Sequence, residues 1–140
     1  MTNSTAYGEA TGTLTASVNG VVSFNAGAVD LTNENEQITI VGVEENSPGP
    51  LRIIEIEMLS NTPNGDYVFP SKQICALTAG GKSAPAHYLT QSGSVNVDFD
   101  RENGRYRCHF NFTANNLFQP KDTIGVVGDC DIRTNPLSKQ

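Results

Sequence analysis

The sequence has no tryptophan and only ten aromatic residues, six Phe and four Tyr. A sugar-stacking platform usually rests on such side chains, so the shortage weighs against that kind of glycan site. Charge is scarce too, at 17% of residues. Nine Lys and Arg are scattered along the chain, and the net charge is −6 with a pI near 4.7. A nucleic-acid partner needs a basic patch to offset phosphate, and none is present. No apolar run approaches the roughly 18 residues that a membrane-crossing helix needs. Residues 1–8 lack a basic segment followed by an apolar one, so they do not read as a signal peptide. Two settings remain expected: a cytoplasmic protein, or a periplasmic or cell-surface protein whose export signal was removed.

Motifs for chemistry are also missing. The two histidines, His87 and His109, accompany no H-E-x-x-H, G-x-S-x-G or other paired catalytic signature. The three cysteines, Cys75, Cys108 and Cys130, show no C-x-x-C or Cys/His spacing, so no metal site is expected. Gly80-Gly81-Lys82-Ser83 superficially resembles a phosphate loop. Ala76 stands where its first glycine should be, and Pro85 interrupts any following helix. No cofactor and no enzymatic activity are expected.

What is present is alternation. Val95, Val97 and Phe99 share one parity, and Tyr106, Cys108, Phe110 and Phe112 share another, with polar residues between them. Such period-two patterns mean strands with one buried and one wet face. Arg101-Glu-Asn-Gly104 joins the two as a hairpin. Asn19-Gly20 sits between alternating runs 13–18 and 21–24, a strong signal for a tight hairpin. Further strands are expected at 26–31, 37–43, 52–59, 66–69, 74–78, 87–90 and 123–132. The segment 32–36 reads as a polar turn, and 44–50, 79–86 and 115–122 read as the longest loops. A chain of 140 residues is one domain. The expected fold is all-β: a single antiparallel β-sandwich of about nine or ten short strands, or a barrel-like closure of it. Residues 1–10 would be a disordered or extended lead-in, 11–133 the domain, and 134–140 a polar tail.

Candidate functional residues are few. Pairing strand 105–114 with strand 123–132 puts Cys108 opposite residue 129 or 130. Cys108 and Cys130 are then either two small buried hydrophobes or a disulfide, the latter in an oxidising compartment. Glu55 and Glu57 face outward together, as do Asp98, Asp100, Asp129 and Asp131. They read as solvated strand faces rather than a glycosidase pair or a calcium site. Leu117, Phe118 and Gln119 lie in a loop. Its apolar pair either folds back to plug the end of the sandwich or forms a contact patch for a partner.

Several runs resemble a family of small bacterial exported lipoproteins of unknown function. They are Thr13-Leu-Thr-Ala-Ser-Val-Asn-Gly20, Ile38-Thr-Ile-Val-Gly42, Gly65-Asp-Tyr-Val-Phe69, Gly93-Ser-Val-Asn-Val-Asp-Phe-Asp100, Asn111-Phe-Thr-Ala114 and Gly128-Asp-Cys-Asp-Ile132. The resemblance implies an all-β domain tethered outside the inner or outer membrane by a lipidated cysteine of the precursor. It supplies no catalytic residues, and the sequence here has no lipidated cysteine. The function expected is a non-enzymatic binding module that meets an unidentified protein or glycan through loops at one end. The alternatives are a small acidic inhibitor or immunity-type protein bound to a basic enzyme, and a barrel-type small-ligand carrier or hydrolase.

Overall fold

The turns set the architecture. Asn19 and Gly20 both have positive φ, 55° and 69°, and Val21 donates its N–H to the Val18 carbonyl at 3.1 Å. This is the tight hairpin that Asn-Gly favours. Val18 pairs with Val22, so Val21 is an extra residue pushed outward and 84% exposed. Asn35 and Glu36 also have positive φ and connect the paired residues Glu34 and Gln37.

The computed structural model describes residues 10–45, 51–81, 87–119 and 121–134. It contains ten strands: β1 (Thr11–Val18), β2 (Val22–Asn25), β3 (Ala28–Glu34), β4 (Gln37–Val43), β5 (Leu51–Leu59), β6 (Gly65–Phe69), β7 (Ile74–Gly81), β8 (His87–Asp100), β9 (Arg105–Asn116) and β10 (Thr123–Arg133). Among the described residues the helical content is one 3₁₀ turn, Arg101–Asn103, capped by Asp100 and ended by Gly104 at φ 69°. No described helix is long and apolar enough to cross a membrane. The expected disordered lead-in 1–10 and tail 134–140 lie almost wholly outside the described residues.

All strands belong to one antiparallel sheet in the order β2-β1-β10-β9-β8-β7-β5-β4-β3, with β6 beside β8. The fold is therefore all-β as expected, and its strands curl as one sheet of the barrel-like kind. The two ends of the path, β2 and β3, are consecutive in the chain and separated only by Ala26 and Gly27. Ala26 donates to the Leu14 carbonyl of β1, and Gly27 donates to the Val43 carbonyl of β4. One bent segment thus joins both edges of the sheet, which reduces the exposed edge available for aggregation.

Several boundaries differ from the sequence reading. β3 runs through Glu34, so 32–36 is mostly strand and the turn is Asn35–Glu36 alone. Polar residues of an end strand look like loop because burial does not select them. β7 continues through Gly80 and Gly81, and β9 through Asn116, so the connections after them are shorter than 79–86 and 115–122. β8 is one continuous strand that pairs with β7 near its start and with β6 further on.

The inward parity fills the interior. Leu14, Phe24, Ile40, Ile54, Ile56, Met58, Leu77, Val95, Phe110, Phe112 and Ile132 are fully buried or nearly so. Two glycines make room for the phenylalanines opposite them. Gly128 of β10 pairs with Phe110 of β9 on one side and Ala16 of β1 on the other. A Cβ on Gly128 would stand 2.4 Å from the Thr15 carbonyl oxygen, 2.6 Å from Phe110 Cζ and 2.7 Å from Ala16 Cβ. Gly93 of β8 likewise pairs with Phe112, whose Cβ lies 2.6 Å from the position a side chain would take.

Gly128→Ala should therefore cost about 1–3 kcal/mol or more by overpacking. Gly125→Ala, three positions earlier on β10, meets only Asn19 Oδ1 at 3.8 Å and should change stability little. Urea unfolding of the two variants checks the contrast, and equal losses would refute the close-contact account.

Candidate functional site

The connections β4–β5, β7–β8 and β9–β10 all leave from the same end of the antiparallel sheet. Residues 46–50, 82–86 and 120 of these connections lie outside the described residues. The Asn19 turn joins this end too. Its backbone N–H donates to the Gly125 carbonyl, and its Oδ1 accepts from the Gly125 N–H at 2.8 Å.

Leu117 and Phe118 project from the β9–β10 connection, 50% and 60% exposed, and Gln119 is exposed beside them. They do not fold back to plug the barrel. Two further apolar side chains are exposed near this end: Val21 in the β1–β2 turn, and Leu89, which pairs across from Asn115.

The loop is pinned from beneath. Asn116 is buried at 8% exposure, and its Oδ1 accepts from the Phe118 N–H at 2.8 Å. Asn116 N–H donates to the Asp122 carbonyl, and Asp122 N–H donates to the Gln119 carbonyl. The Asp122 carboxylate accepts from the buried Tyr88 hydroxyl at 2.7 Å and from Asn116 Nδ2 at 3.3 Å. Tyr88 and Asn116 are themselves register partners on β8 and β9. Burial first, then the bond to Asp122 and its negative charge, push the Tyr88 phenol above its ordinary value. Sequence reading missed Tyr88, Asn116 and Asp122. Their link depends on strand register, which no local motif reports.

The cysteine pair lies on β9 and β10. Cys108 and Cys130 are direct register partners, both buried and both facing inward, with their Sγ atoms 2.9 Å apart. Hydrogen bonding to Cys130 and burial push the Cys108 thiol well up. The two stand as free thiols. The side chain of Cys75 is outside the described residues.

The outer face of β8, β9 and β10 is a charged ladder. Arg107 pairs with Asp98, and Arg105 holds Asp131 with two bonds, Nε to Oδ1 at 3.1 Å and Nη2 to Oδ2 at 2.8 Å. Arg105 beside it holds the Asp131 carboxyl below its usual range. His109 faces outward as expected and bonds Asp129 at 2.8 Å, and Asn96 bonds Asp66. A shallow cleft here is lined by Asn96, Asp98, Arg107, His109, Asp129 and Asp131, among others. Among the described residues, no group of three or more His, Cys, Asp or Glu could hold a metal ion. A second cleft, lined by Asn25, Gly27, Ala28, Val43 and Glu44, opens at the loop end of β4.

No family model matches this chain, and no curated protein or solved structure is detectably similar to it.

Tyr88→Phe should cost about 1–3 kcal/mol at neutral pH, because Asp122 loses a buried donor. A raised phenol value stabilises the fold below about pH 10, the ordinary tyrosine range. That contribution is lost as pH rises through the raised value. The stability difference between the native chain and Tyr88→Phe should therefore close under alkaline conditions. Urea titrations at neutral and alkaline pH measure it, and a pH-independent difference would show that the hydroxyl is not the cause.

Proposed function

We propose that the protein is a non-enzymatic binding module that engages a protein partner through the β9–β10 loop end, with Leu117 and Phe118 as the apolar anchors. One observation carries this reading: two large apolar side chains are exposed on a loop that a partly buried Tyr88–Asp122–Asn116 network holds in place. Exposed apolar residues on a fixed frame lose little conformational freedom on binding, the condition under which such anchors contribute most affinity. Rigid scaffolds commonly present binding residues on loops in this way.

The rival readings draw less support. An acidic inhibitor would meet a basic enzyme through its carboxylates, and on the β8–β10 face three of the fifteen, Asp98, Asp129 and Asp131, are engaged by Arg107, His109 and Arg105. An internal carrier would need open space within the barrel, and Phe24, Phe110 and Phe112 occupy that interior fully buried. The absence of tryptophan favours a protein over a glycan as the target. Work outside the cytoplasm, as the lipoprotein resemblance implies, belongs to the same proposal.

The test is site-specific photo-crosslinking in cells of the native host. A benzophenone amino acid at Phe118 should give one reproducible adduct that Leu117→Asp abolishes. The same probe at Val68, which is 66% exposed on β6, should not give it. Identical adduct patterns from the two positions would sink the reading.

A further inference from the structure

We propose that Cys108 and Cys130 are a disulfide-forming pair that staples β9 to β10 when the protein meets a small-molecule disulfide. The observation is one of register. The two residues are Cα partners in an antiparallel ladder, with Val126–Phe112 and Ile132–Tyr106 paired on the same inward parity on either side. Residues directly opposite in such a ladder stand about 4.5–5.5 Å apart at Cα, within the roughly 4.4–6.8 Å that a disulfide spans. Both side chains already turn toward each other, with sulfurs at 2.9 Å. Neither thiol belongs to the loop network, so this pair is independent of the binding proposal.

The chemistry balances by exchange. One cysteine thiolate attacks a sulfur of glutathione disulfide and forms a mixed disulfide, expelling the first glutathione thiolate. The second cysteine thiolate then attacks the protein-side sulfur, closes the Cys108–Cys130 bond and expels the second. The protein loses two protons and two electrons, and glutathione disulfide becomes two molecules of glutathione. Burial shields the product from later exchange, so the closed pair is a structural staple rather than a labile switch. Burial also means that the first attack needs local opening of the β9–β10 ladder.

The experiment equilibrates the full chain with glutathione disulfide and glutathione at its urea midpoint, where opening does not limit access. Urea is then removed, remaining thiols are alkylated, and the disulfides are mapped by peptide mass. The Cys108–Cys130 cross-link should dominate over both pairings that involve Cys75. The thermal midpoint of the oxidised chain should rise by roughly 10 °C and fall back on adding dithiothreitol. Cys75→Ser should keep both effects. This variant, and the reductant comparison on a single chain, separate the staple from any packing loss in Cys130→Ser. An even spread over the three pairings, or a midpoint that dithiothreitol leaves unchanged, would overturn the proposal.

Discussion

The structure depends on the close approach of core side chains to bare backbone at a few glycines. A sheet that curls on itself has limited space on its concave side, and full side chains on every inward position would hold the strands apart. Gly128 and Gly93 remove that obstacle on either side of β9. The Phe110 ring packs against the first, and the Cβ of Phe112 crowds the second. The phenylalanine side chains restore apolar volume that the glycines give up. Gly42 acts in the same way at the seam, where Leu14 lies about 3.0 Å from the position of its missing side chain. The bend at Ala26–Gly27 can then join β1 to β4 with its backbone hydrogen bonds satisfied.

The loop end faces the opposite problem. There the chain must hold apolar residues out of the core, against the tendency to bury them. Asn116 and Asp122 do this by giving the loop backbone partners that it would otherwise seek in water or in a collapsed conformation. The partly covered carboxylate of Asp122 in turn accepts donors from Tyr88 and Asn116. A similar device closes the far end. Arg101 donates to the Ser60 and Thr62 carbonyls and lies over the Phe99 ring at 5.2 Å. Asn64 stands in for a strand residue there, bonding both the N–H and the carbonyl of Phe99.

The sequence carried the parity of nearly every strand, since inward and outward sides are set by alternation alone. Ile54, Ile56 and Met58 are buried while Glu57 is only partly covered, and Cys108 is inside while His109 is outside. The hairpin at Asn19-Gly20 was legible because few residue types accept positive φ. Glu36 fell within the expected turn 32–36, but its positive φ had no local signal, since glutamate seldom adopts that conformation. The extension of β9 to Asn116 was hidden for a related reason. Asn115 and Asn116 favour turns by composition, and only pairing with Thr123, Tyr88 and Leu89 makes them strand. The cysteine register could be placed within one residue from the hairpin alone. The support beneath the loop could not, because Tyr88 lies 34 residues from Asp122 in the chain.

One hairpin concentrates the features that distinguish this molecule. From one end of β9–β10 to the other lie the Arg105–Asp131 clamp, the Cys108–Cys130 pair, the Phe110–Gly128 contact and the Leu117–Phe118 loop. A slip of one residue in this ladder would turn the cysteines and phenylalanines outward and the charges inward. The charged ladder on the outside and the ring–glycine contact on the inside therefore enforce the same register from opposite faces. A ladder fixed so strongly along its length delivers its tip in one orientation. That is what a loop needs if its apolar residues are to meet a partner surface without first being ordered by it.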